Sequence, residues 1–567
     1  MLLLLISATC ALLAGTQAVP VRSIPVIDRA HVTDVGALPI PEGETATATV
    51  TKTGSEWAIK MGTIDKSGVA YGSFANTLNT TGWGILDVVA NGNFADTDMA
   101  FAAGYLEGYL SANMIYDTAQ NLRNVLFGTD EPSEALKTFL TTQYAWLDAQ
   151  VSANAGDHYW QQVGNVRAQL NGLIAGYNAQ SAFPALAEFD FWMLNGNGDL
   201  FTIMSAVDKS KRVDLETMSA AQVQQYVERT GHCSAVVKVN GGLTDILFSH
   251  SAWFSYQVMN RIFKHYTLPF ANPTTKATKF SFSSYGGYLE SLDDFFLADS
   301  GLVELQTTNS IFNNTLYDFV VPQSLQAWVR LRVAMSSSAS GSEWADVFKR
   351  NTCGTYQNQY MIIDMNLFTP GEPLKDNLLW VIEEVPSLLV SGDQTERLRS
   401  GYWPSYNRAF YDEIFDISGY PEAVAKHGVY YTYELAPRAS IFRQYNGNIR
   451  DLDSLKTFMR SNDYESDPFA NDGTGQNPMY AICSRGDLLG GSHTTRSTDG
   501  CYDTKVSSWA AMQERGTLWA EAVNGPTRSG EKLPIFKWSD HFNTTVHVGQ
   551  PDAFDFDFIQ VQPRTFE

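Results

Sequence analysis

Residues 231–253, GHCSAVVKVNGGLTDILFSHSAW, constrain this chain more than any other stretch. Cys233, Ala235, Val237 and Val239 are small or apolar. Ser234 and Lys238 lie on the opposite face, with Val236 as the exception. A period of two marks a strand. Asn240-Gly241-Gly242 offers the positive φ angles of a tight turn, and 244–249 run back as a second strand. The pattern predicts a β-hairpin that opens on a thiol in the middle of a 567-residue chain. A helix is predicted behind it, over 252–266, with Tyr256, Met259, Phe263 and Tyr266 as its buried stripe.

The rest of the chain alternates similar elements. TATATVTKTG and SGVAYGSFANTL read as strands. Residues 97–127 turn helical, with Thr97 or Asp98 as the cap, and 133–183 read as mostly helical. The apolar stretch 184–206 carries NGNGDL as a turn. Residues 208–230 are polar and charged, and read as a linker or exposed helical segment that a protease could reach. WVRLRVAMSS, YMIIDMNLF and LLWVIEEVPSLLV are strand-like, whereas YGGYLESLDDFFLAD and LDSLKTFMRS are helical. Without repeats or a sharp linker, this mixture predicts an α+β fold of helices layered on antiparallel sheet.

Residues 1–18, MLLLLISATCALLAGTQA, read as a secretory signal peptide, with an apolar run too short for a membrane span. No other stretch approaches 18 apolar residues, so no transmembrane anchor is expected. A lumenal or extracellular route permits disulfides. Cys10 leaves with the signal. Cys483 and Cys501 are close enough to bridge a short surface loop, and Cys353 is expected to be a lone buried thiol. Asn79, Asn313 and Asn543 each head a glycosylation sequon. The net charge of -22 repels nucleic-acid phosphates and anionic membranes at neutral pH.

Familiar catalytic signatures are missing. The chain has no G-x-S-x-G, no H-E-x-x-H, no paired C-x-x-C and no phosphate-binding glycine motif, so neither a metal nor a cofactor is expected. Arg485-Gly486-Asp487 reads as a structural loop rather than an adhesion signal. Cys233 remains. Were the His232–Cys233 bond cut, Cys233 would carry a thiol with a reference pKa of ~8.5 and an α-amine of ~7.7. One residue would then supply both nucleophile and general base.

GHCSAVVKV and DILFSHSAWFSYQVMNRIFKHY resemble the phospholipase B-like family of lysosomal proteins. So do AAGYLEGYLSANMIY, TTNSIFNNTLYDFV, GTYQNQYMIIDMN, YWPSYNRAFYD, FMRSNDYESDP, NPMYAICSRGDL and CYDTKVSS, in order over roughly 80–510. The resemblance implies a four-layer αββα sandwich of the N-terminal nucleophile hydrolase type. It implies autocatalytic cleavage at His232–Cys233, giving fragments 19–232 and 233–567 that stay associated as one domain. Deacylation of phospholipids through a Cys233 thioester would follow, in a lysosomal lumen or outside the cell. An amidase acting on N-acyl substrates, or a lumenal lipid-binding protein with little catalysis, are the alternatives. The same resemblance suggests His250 as a polar residue facing the thiol, Asn309 and Asn407 as oxyanion donors, and Arg460 as an anchor for a carboxylate or phosphate. An acidic optimum would require burial, or a cation such as Arg460, to depress the α-amine pKa. Cys353 stands where the family pattern leads one to expect serine or another small residue.

Overall fold

The computed structural model describes residues 39–219, 222–223, 226–227, 233–293, 295–471, 475–490 and 495–567. The predicted signal peptide and His232 lie outside them.

Two sheets organise the chain. The larger contains β1 (Thr45–Thr53), β2 (Glu56–Met61), β3 (Ala70–Ala75), β4 (Gly84–Ala90), β8 (Arg261–Thr267) and β9 (Lys279–Tyr285). It continues with β10 (Phe295–Ala298), β11 (Leu302–Thr308), β12 (Asn358–Asp364), β13 (Leu379–Val385) and β14 (Leu388–Asp393). The smaller contains β5 (Ser234–Val239), β6 (Ile246–Ser251), β15 (Tyr402–Ser405), β17 (Asp503–Ser508), β18 (Ala520–Asn524) and β21 (Ile559–Val561). Two short ribbons pair β7 (Trp253–Ser255) with β16 (Asp499–Cys501), and β19 (Phe536–Lys537) with β20 (Ala553–Phe554). The strand orders are β14-β13-β12-β11-β10-β9-β8-β4-β3-β1-β2 and β15-β5-β6-β17-β18-β21. Strands β4 and β8 run parallel. A hairpin cannot close a parallel pair. The chain between them builds helices and the hairpin β5–β6 of the other sheet before it returns.

The sheets meet across a shared apolar core. Phe263, Phe295, Val303 and Leu305 come from the larger, and Ala235, Val237 and Phe248 from the smaller. On the far side of the smaller sheet, Val236, Leu247 and Val506 pack against Phe442, Leu455 and Phe458. Those three belong to the helices Pro437–Tyr445 and Leu452–Met459. Val236 is therefore no exception to the alternation, because both faces of β5 are interior. The helix Asp96–Leu110 covers the far face of the larger sheet, with Leu106 and Tyr109 among Val88, Ile262 and Phe282. Its buried Glu107 accepts from Lys264 Nζ at 2.7 Å and from the Tyr266 hydroxyl, which ties helix to sheet.

A second helix, His158–Ala179, lies backbone to backbone on the first. Gly104 and Gly108 face the 169–177 backbone, and Gly172 and Gly176 face that of 101–105. A Cβ at any of the four would overlap a carbonyl across the interface.

Several elements depart from expectation. Residues 252–266 form no helix; β7, a short 3-10 turn and β8 replace it. The spacing looked helical because both faces of β8 are buried, Ile262 and Tyr266 in one core and Phe263 in the other. WVRLRVAMSS lies in a helix, Ala327–Ser337. Its alternation came from Arg330 and Arg332, which are buried. Arg330 pairs with Glu384 at 2.5 Å, and Arg332 bonds the Leu289 carbonyl. YGGYLESLDDFFLAD ends β9, turns and enters β10, while NGNGDL joins the helices Glu188–Asn195 and Asn197–Val207. The helix expected from Thr97 or Asp98 begins at Asp96, with Ala95 before it. In the hairpin loop Leu243 takes the positive φ, 53°, rather than Gly241 or Gly242. There the Asn240 carboxamide accepts from the amides of Thr244 and Asp245. The segment after 208 is not simply exposed, for Val213, Val223 and Val227 are buried against Ile311 and Tyr317.

Gly172→Ala should lower stability by about 3 kcal/mol, since neither helix backbone can give way. Chemical denaturation of purified protein would measure it.

Candidate active site

Cys233 stands immediately before β5 and is 3% exposed. Its φ is 92°, a conformation that costs a non-glycine residue about 1–3 kcal/mol. Arg438 holds it there. Arg438 Nη1 donates to the Cys233 carbonyl at 2.6 Å and to Ser234 Oγ at 3.2 Å, and Nη2 donates to Asn407 Oδ1 at 2.6 Å. Asn407 Nδ2 donates onward to the Thr308 carbonyl at 2.7 Å. The guanidinium lies 4.1 Å from the centre of the Trp253 ring. Burial pulls Arg438 down to about 9, which still leaves it charged in neutral or acidic surroundings. Burial pushes the Cys233 thiol far above the ordinary thiol range, only partly offset by the Trp253 backbone and Lys505. In the intact chain the sulfur is thus a thiol.

Cys233 lines a cavity of about 420 Å³, within the usual range for small-molecule sites. Phe201, Phe254, Leu292 and Tyr502 supply apolar wall, and Asp293 and Gln357 supply polar atoms. Lys211, Met218, Gln222 and Tyr226, from the segment before Cys233, also border it.

Beside the cavity lies a buried lattice of charge. Lys505 Nζ reaches Asp293 Oδ2 at 2.5 Å, Asp503 Oδ1 at 2.7 Å and His250 Nδ1 at 3.0 Å. Arg261 pairs with Asp503 and, at 2.9 Å, with Asp293. His250, Asp293 and Asp503 have spacing that could hold a cation, but the Lys505 ammonium occupies that centre. Burial, then Lys505, holds His250 well below the usual histidine range, so it is neutral. Burial would raise Asp293, but Arg261 and Lys505 outweigh it and keep the carboxyl ionised. Nearby Glu290 is pushed up to about 8 and Glu304 well above its ordinary range, both by burial.

The expected site residues divide into two groups. Cys233, Asn407 and, through Lys505, His250 belong to this neighbourhood. Neither Asn407 nor Asn309 borders the cavity, and Asn309 lacks a link to Arg438; its Nδ2 donates to Glu383 at 3.2 Å. Arg460 does not border it either. It donates to the Gly525 carbonyl at 2.9 Å and approaches Cys483 Sγ at 3.8 Å. Arg438 bonds the Cys233 carbonyl and Lys505 acts electrostatically on its thiol, whereas Arg460 is engaged elsewhere. Arg438, Asp293 and Lys505 carried no sequence signal, because nothing in LAPRAS, SLDDFF or CYDTKVSS separates a site charge from a surface one.

Cys483 and Cys501 form a disulfide with Cα atoms 5.0 Å apart. It is buried against Trp253 rather than in a surface loop, so it backs the ring that carries Arg438. Cys353 is free and buried. Arg485 and Asp487 pair with each other at 2.6 Å in the interior, which makes that tripeptide structural. Asn79 and Asn543 are exposed, while Asn313 is half-buried and its Nδ2 donates to the Ile417 carbonyl. No helix among the described residues is long and apolar enough to cross a membrane.

Fold and site together define a mixed α+β protein in which a strained, buried cysteine at the head of an interior strand opens onto a largely apolar cavity. A family model described as Phospholipase B matches residues 70–561. A Phospholipase B of Crotalus adamanteus is 41% identical over 508 residues, covering 88% of this chain and 89% of that protein. Phospholipase B-like 1 of Homo sapiens is 39% identical over 507 residues, covering 88% of each. Phospholipase B-like protein D of Dictyostelium discoideum is 36% identical over 524 residues, covering 90% of each. The chain belongs to the phospholipase B-like family.

Two measurements follow. Replacing both Cys483 and Cys501 by alanine opens a link of sequence separation 18 and should cost about 3 kcal/mol in denaturant unfolding. Glu290, raised from 4.5 to about 8, binds a proton more tightly folded than unfolded. The stability this contributes is complete below about pH 4.5 and is lost as pH rises toward 8. Melting temperature should fall over that window, and Glu290→Gln should flatten the slope.

Proposed function

We propose that this chain is an acyl hydrolase that removes fatty acyl groups from phospholipids, with Cys233 as an N-terminal nucleophile exposed by cleavage of the His232–Cys233 bond. The observation that carries this reading is the position of Cys233. It is a strained residue at the head of an interior strand and on the wall of the cavity. The relatives' names supply the substrate class, and the two facing sheets with helices on their outer sides fit the αββα sandwich of N-terminal nucleophile hydrolases. A lysosomal or secreted setting fits the signal-like leader and the buried disulfide.

Maturation begins when Sγ attacks the carbonyl carbon of residue 232. The C–N bond breaks, the thiol proton passes to nitrogen, and a thioester forms. Relief of the unfavourable φ at Cys233 favours this step. Water then hydrolyses the thioester to a carboxylate and a free thiol. In the mature enzyme the neutral α-amine takes the Sγ proton as sulfur attacks the substrate carbonyl. The resulting ammonium returns the proton to the departing alkoxide. Water releases the fatty acid. Asn407 is the better amide candidate for oxyanion support, since Arg438 links it to Cys233. His250 acts through Lys505 as a neutral acceptor.

Intact mass and N-terminal sequencing should reveal a fragment beginning at Cys233 in wild type and an uncut chain in Cys233→Ala. Phospholipid deacylation by the variant should fall at least about 1000-fold. Equal turnover by the two proteins would refute the assignment. Hydrolysis of N-acyl amides alone by wild type would replace the ester substrate with an amide.

A further inference from the structure

Asp293 shares the cavity wall with Cys233. Its two oxygens are treated very differently. Oδ2 accepts from Ser283 Oγ at 2.9 Å, Arg261 Nη2 at 2.9 Å and Lys505 Nζ at 2.5 Å. Oδ1 meets no donor among the described residues, although the residue is only 3% exposed. An ionised, buried acceptor left unpaired is costly. The charged and titratable groups around it are Arg261 on β8, Lys505 and Asp503 on β17, His250 on β6, Glu290 on the same turn and Glu304 on β11. The two cations among them are already directed at Oδ2 and at Asp503.

We propose that Oδ1 of Asp293 receives the α-ammonium that cleavage creates on Cys233, making Asp293 the residue that positions the catalytic amine. This rests on the reading of Cys233 as a new N-terminus. In the intact chain the nitrogen of residue 233 is an amide with a single hydrogen. Hydrolysis adds water across the bond: oxygen goes to the carbonyl carbon of residue 232, and the nitrogen becomes an ammonium with three donors. The unpaired acceptor of the precursor is thus matched by the surplus donors of the product. Asp293 is already close enough to act electrostatically on the Cys233 thiol. Once that ammonium has lost a proton, one N–H can stay bonded to Oδ1 while the nitrogen lone pair is free to take the Sγ proton.

The test is a crystal structure of the mature wild-type protein, together with the pH profile of kcat/KM for wild type and Asp293→Asn. The amine nitrogen should lie within about 3.2 Å of Asp293 Oδ1. Loss of the negative charge should lower the amine pKa and move the acidic limb of the profile down by about one pH unit. A purely structural role would lower the melting temperature and leave that limb in place. An amine turned away from Oδ1, or an unmoved limb in a folded Asp293→Asn, overturns the assignment of Asp293 alone. If Asp293→Asn does not fold, the wild-type distance decides. N-terminal sequencing separates the other failure, because a wild-type chain that stays uncut has no α-ammonium and overturns both readings.

Discussion

The buried lattice of Arg261, Asp293, Lys505, Asp503 and His250 is the constraint on which the site depends. Arg261 and Asp293 belong to the larger sheet and its turns; His250, Asp503 and Lys505 belong to the smaller. Each cation bridges both carboxylates. Removing one of these four charged groups would leave a buried charge uncompensated, at about 3–5 kcal/mol. Apolar contact between the sheets is non-directional, whereas the bonds of the ion cluster are directed. The cluster therefore sets how the two sheets register at the end where Cys233 lies.

A second chain of contacts fixes Cys233 itself. The Cys483–Cys501 disulfide packs on Trp253, Trp253 underlies Arg438, and Arg438 grips the Cys233 carbonyl and Asn407. Asn407 then reaches the end of β11 in the larger sheet. Distant pieces of sequence thus converge on one peptide unit and hold it at an unfavourable φ. Strain of this kind persists only where the surroundings over-determine the backbone. The same burial keeps the thiol protonated in the intact chain, and in the proposed mechanism the α-amine serves as its acid–base partner.

Where polarity followed geometry, the sequence was legible. The hairpin headed by Cys233, the helices after 96, the strands YMIIDMNLF and LLWVIEEVPSLLV, and the Cys483–Cys501 bridge could be read directly. Reading failed wherever charge goes inward. Arg330 and Arg332 made a buried helix look like an alternating strand, because a local pattern does not show Glu384 waiting across the core. Arg261, Lys264 and His265 hid β8 in the same way, since each is buried. The site suffered from the same limit: Arg438, Asp293 and Lys505 lie 205, 60 and 272 positions from Cys233 and meet it only through the fold. Asn309 and Arg460, expected from resemblance alone, are spent on Glu383 and on the loop behind the disulfide.

The most direct test is to catch the covalent intermediate. Mature protein would be mixed with a phospholipid, quenched in acid within the first turnover, digested and examined by mass spectrometry. One acyl group is expected on the peptide that begins with Cys233, bound through sulfur and released by neutral hydroxylamine. Rapid turnover with the Cys233 thiol found unmodified, or with the acyl group on another residue, would contradict the Cys233 mechanism.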